Sequence, residues 1–157
     1  MKRILTLTAL TAAIAVQALA PSLWAAEALV GTWRLARQEL NGQPGDFEPL
    51  TLQVAQTGDK LSFAFSMPVN GIYFVTLTYT LRLDGSAADI KNANGQKIGT
   101  IQMTHSASQY TFNMKGPGRP DSQGTLTVSA DGKTLISESG ATQSGRPMHS
   151  KQTFTRY

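Results

Sequence analysis

Leu61-Ser62-Phe63-Ala64-Phe65-Ser66-Met67 places a large apolar side chain at every odd position and a small one at every even position. Period two with one apolar face is the pattern of a strand half-buried in a sheet. The next stretch continues it, with Tyr73, Val75, Leu77, Tyr79, Leu81 and Leu83 set against Thr76, Thr78, Thr80 and Arg82. Farther along, Tyr110, Phe112 and Met114 alternate with Thr111, Asn113 and Lys115, and Leu126 and Val128 with Thr125, Thr127 and Ser129. Turn signals separate these runs: Asn41-Gly42, Gly58-Asp59, Asn70-Gly71, Asp84-Gly85, Asn94-Gly95, Gly116-Pro117-Gly118, Asp131-Gly132 and Ser144-Gly145. Asn-Gly and Asp-Gly accept positive φ at little cost, which tight antiparallel hairpins require.

Together these signals predict strands over residues 29–40, 49–57, 60–67, 72–83, 86–91, 97–105, 109–115, 123–129, 133–139 and 147–156. No segment beyond the first two dozen residues has a helical period. Short strands in hairpin succession, without room for crossover helices, predict an all-β, antiparallel up-and-down β-barrel of 8–10 strands. Closing the meander buries one face and removes its edges. A two-sheet sandwich uses the same alternation and stands as the structural rival.

Composition narrows the function classes. The chain has 157 residues, 41% apolar and 15% charged, which is the profile of a folded domain and not of a disordered one. Its lack of cysteine excludes a disulfide scaffold, a thiolate metal site, a cysteine nucleophile and a lipid-modified N-terminal cysteine.

Met1-Lys2-Arg3 followed by the apolar run from Ile4 to Ala20 has the form of a secretory signal. The run is shorter than a membrane span and is broken by Gln17 and Pro21. The expected division is therefore a signal peptide over 1–26 and one barrel domain over 27–157, exported to the periplasm or the extracellular space. The cut itself stays open between positions such as Ala25 and Ala28. Removal of Lys2 and Arg3 lowers the net charge from +4 to +2. The remaining basic residues, among them Arg34, Lys60, Lys91 and Lys115, are scattered, so no nucleic-acid footprint forms. An outer-membrane barrel would turn apolar residues to lipid in phase with Tyr157, but Thr155, Thr153, Lys151 and His149 occupy that phase. The expectation is a mature chain without membrane insertion.

The domain opens Leu29-Val30-Gly31-Thr32-Trp33-Arg34-Leu35 and closes Gln152-Thr153-Phe154-Thr155-Arg156-Tyr157. These ends, with Ser129-Ala130-Asp131-Gly132-Lys133-Thr134-Leu135, resemble the calycin superfamily and, more narrowly, the lipocalin-like domain proteins exported by bacteria. The resemblance implies a structural signature in which the Trp of Gly-x-Trp closes the barrel floor beneath a basic side chain of the last strand. Carried over, Trp33 pairs with Arg156 while Gly31 lets the backbone pass close. It also implies a small apolar or amphipathic ligand inside the barrel. Two features depart from better-known relatives. Residues 41–48 are too short and turn-rich for the helical pair of fatty-acid-binding proteins, and the last strand is not followed by the packed helix of typical lipocalins.

The inward phase holds Phe63, Phe65, Tyr73, Tyr79, Met103, His105, Tyr110, Phe112 and Met114, the candidate cavity-lining set. Tyr offers a polar tip and Met an adaptable surface for a guest. The same residues also read, and more simply, as a packed core, in which case the barrel is a plugged structural or protein-interaction module. The loop from Lys115 to Asp121 is then the candidate contact surface. Haem binding through a late histidine is a third reading, opposed by the phase of His149, which shares the wet face with Lys151 and Thr153. No nucleophile elbow, triad or carboxylate pair stands out, and two distant histidines make no metal site. The expectation is a binding protein without catalytic residues, cofactor or metal.

Overall fold

The computed structural model describes residues 22–106, 109–118 and 120–157; the expected signal segment lies almost wholly outside that set, as does Arg119 of the 115–121 loop. A short helix, α1 (Ser22–Leu29), precedes eleven strands: β1 (Gly31–Leu40), β2 (Gln43–Pro44), β3 (Thr51–Thr57), β4 (Lys60–Val69), β5 (Ile72–Leu81), β6 (Ala88–Asn92), β7 (Lys97–Ser106), β8 (Gln109–Lys115), β9 (Ser122–Val128), β10 (Thr134–Gln143) and β11 (Arg146–Arg156). Each strand from β3 onward pairs antiparallel with its successor, and β1 pairs with both β3 and β11. The sheet is thus a closed barrel of ten strands, with β2 as a two-residue flap on β1. Closure settles the question between barrel and sandwich. The predicted strands match in number and sequence position, apart from the flap.

The alternation of the sequence places Trp33, Leu52, Val54, Leu61, Phe63, Leu81, Ile101, Leu135 and Phe154 inside, all buried. They concentrate at the end of the barrel where β1 begins and β11 finishes. Helix α1 seals this end, with Ala26 and Leu29 packed into the core. Its Ala- and Leu-rich sequence suits a helix. The sequence reading began the first strand at residue 29 and expected no helix beyond the signal; Leu29 is instead the last helical residue. The Trp33 indole nitrogen fixes it there by donating to the Leu29 carbonyl at 2.9 Å.

Three register shifts break the strict phase, one of them between Ile90 and Lys91 on the β6–β7 pair; the other two shape the site. On β1 the register against β11 shifts between Leu35 and Arg37, which brings Gln38 opposite Gln152. On the β4–β5 hairpin it shifts where Phe65 faces Leu77 but Ser66 faces Val75. A bulge inserts one unpaired residue and reverses the inward phase beyond it. Thr76 therefore turns inward, while Tyr73 and Val75 turn out, 50% and 45% exposed. The sequence-based placement of Tyr73 inside the barrel is corrected on this point.

Beyond the bulge the hairpin projects past both neighbours. Strand β3 pairs with β4 only as far as Ser66, and β6 pairs with β5 only at Leu77 and Thr78. Val69, Ile72, Tyr73 and Phe74 are consequently all at least half exposed.

Candidate functional site: a half-filled barrel

The inward side chains shrink along the last three strands toward the open end. On β9 the series is Leu126, Gly124, Ser122; on β10, Leu135, Ser137, Ser139; on β11, Phe154, Gln152, Ser150. Large residues fill the floor and small ones leave room above it. The result is a cavity of about 390 Å³, within the size range of small-molecule sites. Leu50, Leu52, Phe65, Leu77, Ile101, Leu126 and Phe154 supply much of its apolar wall.

Of the sequence-predicted lining residues, Phe65, Tyr79, Met103, Phe112 and Met114 face this cavity. Phe63 lies deeper and stacks beneath Tyr79, with ring centroids 4.7 Å apart. Tyr110 is buried in the packed half, where its ring meets His105 at 4.7 Å between centroids. His105 and Tyr110 flank the β7–β8 turn at the sealed end, so neither reaches the cavity. Tyr73 is outside, for the reason given above. His149 is exposed on the outer surface, and its backbone nitrogen donates to Asn41 Oδ1 at 2.8 Å.

The reading by large apolar residues missed the polar wall: Thr76, Ser122, Ser137, Ser139 and Gln152 also line the cavity. Their signal was present. Ser137 and Ser139 share the phase of Leu135, and Gln152 that of Phe154, so small polar residues at inward positions marked the hollow half. Ser137 and Gln152 are direct cross-strand partners. Gln152 Nε2 donates to Gln38 Oε1 at 3.3 Å, a contact the β1 bulge makes possible. Thr76 Oγ1 donates to the Phe65 carbonyl at 3.2 Å.

Gly124 shapes the same wall. A Cβ there would stand 2.7 Å from Phe112 Cζ and collide with the Glu138 carbonyl oxygen. Only a residue without a side chain lets the Phe112 ring lie across β9.

No Lys, Arg, His, Asp or Glu side chain lines the cavity among the described residues. The charges sit outside, as in Lys151–Glu138 at 2.9 Å, Arg37–Glu39 at 3.0 Å and Lys97–Asp89 at 2.6 Å. Burial pushes the Tyr79 hydroxyl well above the ordinary tyrosine range and that of Tyr110 up to about 12, so both rings are neutral at any working pH. The chemistry available is apolar contact plus neutral hydrogen bonding. Two larger depressions, of about 780 and 460 Å³, lie toward the outer faces of the later strands around Gln123, Gly140 and His149, and both are wide open to solvent.

The mouth has no helical cover among the described residues. Residues 41–50 form a flap, held by Gly45 N donating to Gln38 O at 2.9 Å and Asn41 N to His149 O at 2.7 Å. No described helix is long and apolar enough to cross a membrane.

No protein-family model matches the sequence, and no curated protein matches it. Solved structures do match the fold. Zebrafish ileal bile acid-binding protein complexed with cholic acid aligns at a TM-score of 0.59 and 21% identity, over 83% of this chain and 99% of that one. A fatty acid transporter aligns at 0.57 and 16%, over 82% and 98%. Human cRBP IV aligns at 0.53 and 19%, over 82% and 98%. At these identities the likeness is one of fold, and the structural neighbours are fatty-acid-binding-protein-like barrels of the calycin superfamily.

Proposed function

We propose that this protein is an exported carrier that binds one small apolar or amphipathic molecule inside the barrel. The observation that carries the reading is the half-filled interior: a cavity of about 390 Å³, walled by apolar residues and bordered by neutral polar ones. A plugged barrel would have continued the large side chains of its floor through to the open end. The similar structures of a bile acid-binding protein and a fatty acid transporter support the reading. Export is supported by the charged and apolar form of residues 1–20.

The test is native mass spectrometry of protein purified from its own source, with titration of an uncharged environment-sensitive fluorophore into the delipidated protein. A carrier retains a stoichiometric adduct and binds the dye once per chain. A chain that arrives empty and fails to bind the dye is an interaction module instead. Sequencing the N-terminus of the secreted protein tests export separately.

A further inference from the structure

We infer that the molecule carried is uncharged at its polar end, an amphiphile bearing a hydroxyl or a primary amide and not a carboxylate. This rests on the carrier reading and names the ligand class of that same cavity.

The argument begins with the hydrogen-bonding inventory of the polar wall. Ser137 and Ser139 lie on β10 and Gln152 beside them on β11, all facing the cavity. The two serine hydroxyls make no hydrogen bond to another described residue, so they are available to a guest. A serine hydroxyl both donates and accepts. Gln152 gives one amide hydrogen to Gln38, so its carbonyl oxygen and its second amide hydrogen remain to offer a guest. That oxygen only accepts. A ligand hydroxyl or primary amide can donate to it and accept from a serine, whereas an ionised carboxylate has nothing to donate and leaves that buried oxygen unpaired.

Charge points the same way. A carboxylate taken out of water is strongly disfavoured unless a cation or several fixed donors meet it. The cavity has no cationic lining residue among those described, and the nearest cation along β11, Lys151, is on the opposite face and bound to Glu138 at 2.9 Å.

The experiment is a competition series on the delipidated full domain, displacing an uncharged fluorophore with ligands of one chain length. These are a primary alcohol, the matching primary amide, the fatty acid and the alkylamine. At pH 7.5 the alcohol and amide are expected to bind at least tenfold tighter than the acid, and the acid to gain affinity at low pH as it protonates. Fatty acid binding equal to or tighter than alcohol at pH 7.5 overturns the inference while leaving the carrier standing. Failure of the fluorophore and of every competitor overturns the carrier, and the inference with it. Two variants keep the test sharp. Gln152→Leu should shrink the preference for the alcohol, and Ser139→Lys, which adds a cation from a different strand, should reverse it toward the acid. An unchanged ratio in both, with the fold intact by circular dichroism, also counts against the inference.

Discussion

Trp33 and Arg156 are direct cross-strand partners at the β1–β11 seam, and the guanidinium carbon stands 4.2 Å from the centre of the indole. The same guanidinium donates to three carbonyls: Gly132 at 2.6 Å, Val30 at 2.7 Å and Ala28 at 2.8 Å. It thereby ties the end of helix α1, the start of the first strand and the β9–β10 turn to the last strand. A cation placed on the terminal carbonyls of a helix also complements its dipole. Gly31 completes the arrangement, since a Cβ there would meet Arg156 Nη1 at 2.6 Å and its φ of 142° disfavours other residues.

Replacing Arg156 should therefore unfasten the sealed end. Charge-assisted hydrogen bonds and the cation–π contact together suggest a loss of about 2 kcal/mol for Arg156→Ala. Arg156→Lys should recover less than half, because an ammonium lacks the planar fork that reaches several carbonyls at once. Urea unfolding of the three proteins measures it; a fully stable Lys variant would show that charge alone matters.

Gly124 supports the cavity wall by having no side chain. Gly124→Val should destabilise the domain by about 1–3 kcal/mol through overpacking against Phe112 and the β10 backbone. It should also weaken guest binding, because the displaced Phe112 ring moves into the cavity. Thermal unfolding and fluorophore titration on the same preparation check both effects.

The β4–β5 bulge makes a claim about which aromatic residues matter. Tyr73 is exposed and Phe112 lines the cavity. Tyr73→Ser should leave guest affinity within about twofold, whereas Phe112→Leu should weaken it by roughly tenfold, the order of one to two lost methylenes in an apolar pocket. Equal losses in the two variants would place Tyr73 inside.

Asp131 gives a pH dependence. The Ser129 hydroxyl donates to it at 2.6 Å and the Lys133 backbone nitrogen at 3.0 Å, and these bonds hold its carboxyl below the ordinary 3.8. A depressed carboxylate contributes stability that is present above the unfolded value and lost as pH falls through the folded one. Asp131→Ala should thus melt lower than the parent at pH 7, with the gap closing below about pH 3.8. Melting curves of both proteins from pH 7 to pH 2.5 test it. A gap that persists at the acid end would mean the carboxylate's charge is not what stabilises the turn.

Much of this architecture is legible in the sequence because a sheet writes its two faces into alternate residues. Phe63, Phe65 and Tyr79 could be placed inside from phase alone, and the Asn-Gly and Asp-Gly pairs marked where strands reverse. The Trp33–Arg156 closure followed from the likeness of the chain ends to calycins. The bulges were not legible. Whether Thr76 or Val75 faces inward depends on which residue of β4 lies opposite, and no local pattern records an unpaired residue. His105 and Tyr110 keep the inward phase but belong to the sealed half, because phase gives the face and not the height along the barrel. Helix α1 was hidden since its Ala and Leu residues read as the end of an export signal. The polar wall escaped notice for another reason: Ser137, Ser139 and Gln152 are informative only when small polar residues at inward positions are read as empty space.

The central claim is that the hollow half of the barrel is where a guest resides. Methyl-resolved NMR with Met103, Met114, Leu77 and Leu126 labelled, before and after one equivalent of a medium-chain alcohol, tests it most directly. The account requires saturable shifts in these four residues, with Leu61 and Leu135 of the packed floor little changed. Shifts confined to Val69, Ile72 and Val75 on the outer hairpin, or no saturable shift anywhere, would contradict it.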